Sequence, residues 1–208
     1  DYLGENTKSE AEALAAKSTY VRMLDLIAET RRAKEFAPAD PVLSADPLNI
    51  SIKLTQCGLD QGEAFAENNF RDVLGVAKAK GLFVRADMEG SDYTDRTVRM
   101  IERVFPEFPN TGTVLQSYLH RPDDDLERMI ALGARVRLVK GAYLEPATVA
   151  YPEKSRVDEQ YVKQGKRLLD AGVYPALATQ DPAIIDELKA YARAIGRKES
   201  TFEWQMLY

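Results

Sequence analysis

The sequence predicts an α/β fold of repeated strand-helix units, of the (βα)8 TIM-type barrel class, and three observations carry that expectation. Short β-branched or continuously apolar segments alternate with amphipathic stretches of helical period, at a spacing of roughly thirty residues. Glycines follow the helical stretches, at the points where a chain must turn back toward the sheet. Polar residues recur at the C-terminal ends of successive apolar segments; a barrel gathers such ends at one mouth, whereas an open sheet strings them along an edge.

Taken in order, the chain opens with a helix predicted over Ser9 to Lys34, followed by a strand over Asn49 to Leu54. Helix Gly62 to Lys80 leads to strand Leu82 to Asp87, and helix Thr94 to Val104 leads to strand Thr113 to Ser117. The repeat continues with helix Asp123 to Leu132, strand Arg135 to Lys140, helix Val157 to Leu169 and strand Tyr174 to Ala178. Helix Pro182 to Ile195 and strand Thr201 to Leu207 complete it. Gly81, Gly133, Gly172 and Gly196 are expected to close helices at positive φ, and Asp181-Pro182 reads as an N-cap with proline in the first turn. No linker interrupts the series, so residues 1–208 are expected to form one domain. Six strands do not close a barrel of eight, which implies terminal elements beyond this sequence.

Composition excludes several function classes. The 45% hydrophobic and 29% charged content is that of a globular domain with a core. The 28 basic and 33 acidic side chains are mixed along the chain, which leaves no basic stripe to follow a nucleic acid backbone. Cys57 is the single cysteine and His120 the single histidine, so neither a disulfide framework nor zinc-ligand spacing exists, and a reducing, cytoplasmic setting is expected. Apolar runs fall short of the ~20 residues of a membrane helix. G-x-S-x-G, H-E-x-x-H, Walker and G-x-G-x-x-G motifs are absent. His120, before Arg121-Pro122, reads as a surface or capping residue.

The remaining chemistry lies at the strand ends. Asp87 closes LFVRAD, and a carboxylate at the end of an apolar strand is costly unless a cation or several donors meet it. Lys53 of ISIKL, one strand earlier at the same depth, is the natural partner in a buried ion pair. Ser91 and Asp92 read as caps of the following helix. RLVKGAY brings Arg137 and Lys140 next to Gly141, a turn that suits an anionic ligand approached closely by backbone. Taken alone, the loop Lys140 to Tyr143 also fits a phosphorylated metabolite, and lysine-glycine after a strand is commonly just a turn. Gln116 in TVLQS is a buried amide that needs partners for both its ends.

Together ISIKLTQ, DMEGSDYT, LQSYLHR, RLVKGAY, YPALAT and FEWQMLY, in this order, resemble the barrel strands of the proline dehydrogenase family, in its monofunctional bacterial type, over nearly the whole chain. The resemblance implies an FAD enzyme that oxidises L-proline to Δ1-pyrroline-5-carboxylate and passes electrons to a membrane quinone, working peripherally at the inner membrane. It assigns Lys53 to the substrate carboxylate, Asp87 to the polar network of the reacting site, Arg137 to the flavin N5 region and Tyr143 to the proline ring. Met88, Gln116, Lys140, Gly141, Ala142, Thr179 and Gln180 would line FAD, with Gln205 and Leu207 near the same cavity. The sequence departs from the family at Thr179-Gln180, where the usual reading is Thr-His. The family's C-terminal arginine pair has no counterpart here, since Arg31-Arg32 lies in the first helix, and a polypeptide ending at Tyr208 is expected to be nearly inactive. A non-catalytic relative that binds flavin or a partner is the alternative.

Overall fold

The computed structural model describes residues 4–33 and 48–206. In chain order the elements are α1 (Glu10–Ala33), β1 (Asn49–Ile52), α2 (Glu63–Ala79), β2 (Phe83–Ala86), α3 (Ser91–Val104), β3 (Thr111–Gln116) and α4 (Pro122–Leu132). β4 (Arg135–Val139), α5 (Lys154–Ala171), β5 (Ala176–Ala178), α6 (Pro182–Ala194), a 3-10 turn at Glu199–Thr201 and β6 (Glu203–Gln205) follow. The strand order in the sheet is β1-β2-β3-β4-β5-β6, the order of the sequence. Strands joined by crossover helices must run parallel to their neighbours, and the register of β1 on β2, β4 on β5 and β5 on β6 is parallel.

The described residues fall into two compact units, divided within α3 and within β3. The first holds residues 4–33, 48–87 and Arg99–Gly112. Its α1 buries Ala13, Ala16, Tyr20, Leu24 and Ala28, a stripe of helical period whose alanines let α2 come close. α2 answers with Ala66, Phe70, Val73, Leu74 and Ala77. β1 and β2 pair from Asn49↔Phe83 to Ile52↔Ala86. Thr111 at the start of β3 is fully buried and donates its hydroxyl to Val84 O (3.0 Å), while Val84 N–H donates to Asn110 O (3.0 Å).

The second unit holds Met88–Val98 and residues 113–206. Ser117 N–H donates to Val139 O and Tyr118 N–H to Lys140 O, both at 2.9 Å, and β5 lies between β4 and β6. α5 covers this sheet with Val157, Tyr161, Leu168 and Leu169, and at Gly165 it lets Leu188 of α6 come within 2.9 Å of where a Cβ would stand. Asp181 caps α6 as expected, accepting from Ala183 N–H at 3.2 Å.

Every expected element with described residues exists, but several boundaries and caps need correction. The strand run beginning at Tyr174 starts only at Ala176, because Tyr174 has φ +42°, which no strand accommodates. β3 begins two residues before its expected start, because Thr111 finds a partner in β2. Gly81, Gly133 and Gly196 have positive φ, but Gly172 is extended at φ −72°. α3 begins at Ser91, so Ser91 and Asp92 lie inside its first turn instead of capping it. Strand residue Thr201 belongs to the 3-10 turn. Lys34 and Leu207 lie outside the described residues.

Candidate active site

In the first unit, the register Ile52↔Ala86 brings Lys53 and Asp87 to the same level, one residue past each strand. Asp87 N–H donates to Ile52 O at 2.8 Å, which carries the ladder to that point. The ion pair expected to be buried is only partly so. Lys53 Nζ stands 4.0 Å from Asp87 Oδ2 and nearer, at 3.3 Å, to Glu5 Oε1, and the Lys53 and Asp87 side chains keep 24% and 21% of their exposure. Water therefore reaches this pair, and its charges remain available to a ligand. Arg85, in the middle of β2, was not singled out from sequence; it is 2% exposed and lies over the Phe83 ring at 5.2 Å. A charged residue inside the apolar run LFVRAD was the signal that would have found it.

In the second unit, Gln116 closes β3 and is 3% exposed. Its amide nitrogen donates to Glu89 O at 3.3 Å, and its Oε1 is buried without a hydrogen-bond partner. Ser117 Oγ is buried in the same condition. Met88 is also buried. Arg137, third residue of β4, donates from Nε to Gln205 Oε1 of β6 at 2.5 Å, so a neutral amide two strands away orients the guanidinium. Thr179 follows β5, is buried, and accepts from Asp181 N–H at 3.1 Å; Gln180 beside it is exposed.

Lys140 is held differently from expectation. Its Nζ lies 2.6 Å from Asp158 Oδ1 of α5 and 3.0 Å from Asp181 Oδ2, and Lys154 joins the same two carboxylates at 2.5 and 3.5 Å. Burial raises the Asp158 pKa, but hydrogen bonds from Lys140 and Lys154 outweigh it and hold the carboxyl below its ordinary range. The Lys140 hydrogen bond does the same for Asp181.

Gly141 has φ +119°, and a Cβ there would stand 2.3 Å from the Tyr118 ring. The close approach that this glycine allows is taken up by Tyr118. Ala142 beyond it is exposed and Tyr143 is half-buried. Burial, followed by the nearby Glu145 carboxylate, pushes the Tyr118 hydroxyl up to about 12. Glu145 accepts from Ser91 N–H at 2.7 Å and from Ser91 Oγ at 2.6 Å, and it thereby fills the capping role that the sequence had given to Ser91 itself. Tyr118 and Glu145 were both missed, since each acts through partners remote in sequence. His120 is exposed, its Nε2 3.1 Å from Ala147 O, in keeping with a surface residue.

Among the described residues no helix is long and apolar enough to cross a membrane.

Comparison with known proteins gives a consistent result. The family model described as Proline dehydrogenase matches residues 1–208. "Proline dehydrogenase 1" of Bacillus subtilis subsp. natto is 36% identical over 208 residues, covering all of this chain and 64% of that protein. "Proline dehydrogenase" of Deinococcus radiodurans is 42% identical over 164 residues, covering 76% of this chain and 53% of that protein. The chain thus spans between half and two thirds of the length of these relatives. Among solved structures, proline utilization A from Bdellovibrio bacteriovorus, inactivated by N-propargylglycine, superimposes with a TM-score of 0.87 at 25% identity, over 99% of this chain and 25% of that one. The fold is accordingly that of a TIM-type α/β barrel domain, represented here by six parallel strands. A family match over residues 1–208, on a chain with this strand order and with relatives more than a third identical to it, means that this chain belongs to the proline dehydrogenase family.

Proposed function

We propose that the protein oxidises L-proline to Δ1-pyrroline-5-carboxylate, with FAD as its resident cofactor and a quinone as electron acceptor. The observation that carries the cofactor assignment is Gln116: its amide nitrogen is committed to Glu89 O, while its buried oxygen lacks a donor. An unmet buried acceptor costs about 1–3 kcal/mol, which a ligand N–H removes on binding. A flavin ring edge offers such a donor, so the residues present fit the group. Met88, Lys140, Gly141, Ala142, Thr179 and Gln180 are assigned to the same cofactor.

When bound, FAD supplies a hydride acceptor at its N5 atom. The chain's own residues supply position and charge. Lys53 presents an ammonium to the substrate carboxylate, and Asp87 Oδ2 stands 4.0 Å from it at the end of the neighbouring strand. Arg137 directs a permanent positive charge toward the flavin N5 region, where it favours negative charge developing on the ring during reduction. Gln205 fixes the direction of that guanidinium through Nε. Tyr143 packs beside the proline ring and restricts its pose. The substrate amine reacts in its unprotonated form. Since quinones reside in lipid, the reading also includes peripheral work at a membrane surface.

The test is a visible spectrum of the purified protein before and after anaerobic L-proline. Bleaching of a flavin band by proline, and loss of that response after treatment with N-propargylglycine, are expected. A flavin that proline does not reduce would refute the reaction, and a colourless protein that takes up no added FAD would refute the cofactor.

A further inference from the structure

The connection from β4 to α5 runs from Lys140 to Glu153, far longer than the two to six residues usual for such a turn. A connection of that length needs anchors of its own to hold one conformation. Its two feet are well fixed. At the first, the Tyr118 ring lies over Gly141 and Tyr118 N–H donates to Lys140 O. At the second, His120 N–H donates to Val149 O (2.9 Å), Tyr151 N–H donates to Tyr118 O (2.7 Å), and Leu119 bridges Ala150 in antiparallel fashion. Val149, Ala150, Tyr151 and Val157 pack with Tyr118 and Leu119 beneath that foot.

Between the feet, burial alternates. Ala142, Leu144 and Pro146 are exposed, Leu144 wholly so, while Tyr143 and Glu145 turn inward. Glu145 then makes two short hydrogen bonds with one residue, to Ser91 N–H at 2.7 Å and Ser91 Oγ at 2.6 Å. Ser91 begins α3, so its N–H is one of the donors a helix leaves unmet, and a carboxylate there also meets the positive end of the helix dipole.

We propose that Glu145 is a positioning residue of the active site, tethering the β4–α5 loop to the start of α3 and thereby fixing where Tyr143 meets the substrate. The substrate part of this inference rests on the proline reading above; the tether does not. Glu145 touches neither substrate nor cofactor in this scheme. Its carboxylate holds the loop tip closed at the position two residues beyond Tyr143, so that Tyr143 is presented in one pose and not in many.

The experiment compares wild-type, Glu145→Ala and Glu145→Gln proteins, loaded with FAD, by amide hydrogen exchange and by steady-state proline oxidation. In Glu145→Ala, exchange of residues 141–148 and of the Ser91 amide is expected to rise about tenfold, as two charge-assisted hydrogen bonds are lost. KM for proline is expected to rise about tenfold with kcat changed much less, the split expected of a lost binding pose. Glu145→Gln keeps one oxygen for the Ser91 N–H and is expected to fall between the two. Unchanged exchange at the loop would overturn the tether whatever the substrate, and faster exchange throughout the second unit would show general destabilisation in its place. Faster loop exchange with unchanged KM would overturn the link to Tyr143. A wild-type protein that ignores proline, combined with the expected exchange pattern, would refute the proline reading and leave the tether standing.

Discussion

Replacing Gly141 by alanine combines two costs that the structure allows to be separated. Its φ of +119° lies where no L residue is comfortable, a strain of about 1–3 kcal/mol. The new Cβ would also stand 2.3, 2.4 and 2.6 Å from three atoms of the Tyr118 ring, against ordinary contact beginning near 3.4 Å. The ring must therefore retreat by about an ångström or more. Little allows it to do so: both backbone groups of Tyr118 are hydrogen-bonded, its N–H to Lys140 O and its carbonyl to Tyr151 N–H, and its ring belongs to the cluster of Leu119, Ala150 and Val157. Overpacking of that kind costs about 1–3 kcal/mol, for a total of about 2–6 kcal/mol. Gly133→Ala provides the comparison, with φ +79° and nothing within 4 Å of its Cβ, so that only backbone strain of about 1–2 kcal/mol remains. Urea unfolding of both variants measures the difference. Equal destabilisation by the two substitutions, or a Gly141→Ala protein within about 0.5 kcal/mol of wild type, would refute the steric argument.

Other consequences follow from the same geometry. Tyr118 is protonated in the folded protein up to about 12, above the ordinary 10, so its contribution to stability is complete below pH 10 and is lost as pH rises toward 12; urea midpoints from pH 9 to 12 are expected to fall, less steeply in Tyr118→Phe. Buried Tyr161, also shifted upward, adds a loss of the same sign, so some slope remains in that variant. Lys53→Met is expected to raise KM for proline by about ten- to a hundredfold, the equivalent of one charge-assisted hydrogen bond, while the flavin spectrum stays that of the wild type; an unchanged KM would remove Lys53 from the substrate site. Arg137→Met is expected to lower kcat by about a hundredfold and to make the flavin harder to reduce, as measured by its midpoint potential. Gln180→His is expected to retain FAD more firmly through dialysis; equal retention would mean that this exposed position does not touch the cofactor.

Much of the fold was legible because periodicity and punctuation are local. The apolar runs from Asn49, Leu82 and Arg135 became strands, and Gly81, Gly133 and Gly196 closed helices at positive φ. Readings failed where a distant partner decided the outcome. Asn110-Thr111-Gly112 has the composition of a turn, yet Thr111 is buried and bonded to Val84, which draws the strand back by two residues. Ser91 looks like a cap, yet the capping oxygens come from Glu145, 54 positions away. The apolar run at Tyr174 looks like a strand start, yet the ring turns at positive φ and packs against the Arg135 guanidinium at 4.4 Å. The Lys53–Asp87 partnership could be read in advance because parallel register equates positions one past each strand end; its partial exposure and the share taken by Glu5 could not, since Glu5 lies before α1.

The cations borne on the strands divide by depth, and the division argues for which of them can act. Arg85 and Arg135 lie within strands, are nearly inaccessible, and stand over aromatic rings, Phe83 at 5.2 Å and Tyr174 at 4.4 Å. Burial lowers the pKa of Arg135, with Glu203 and Tyr174 working against that shift, and a guanidinium remains charged through it. A lysine in either place would discharge more readily and offer less planar surface to the ring, which accounts for arginine at these depths and for a role in packing. Lys140 emerges at a strand end, but Asp158 and Asp181 already offset its charge, so its effect on an anion nearby is blunted. Arg137 is oriented by the neutral amide of Gln205, which fixes its direction. A site that favours negative charge on a bound ring needs a cation fixed in direction, and the hydrogen bond from Arg137 Nε to Gln205 Oε1 supplies that direction within the sheet, where Lys140 is instead drawn toward the carboxylates of α5 and of the α6 cap.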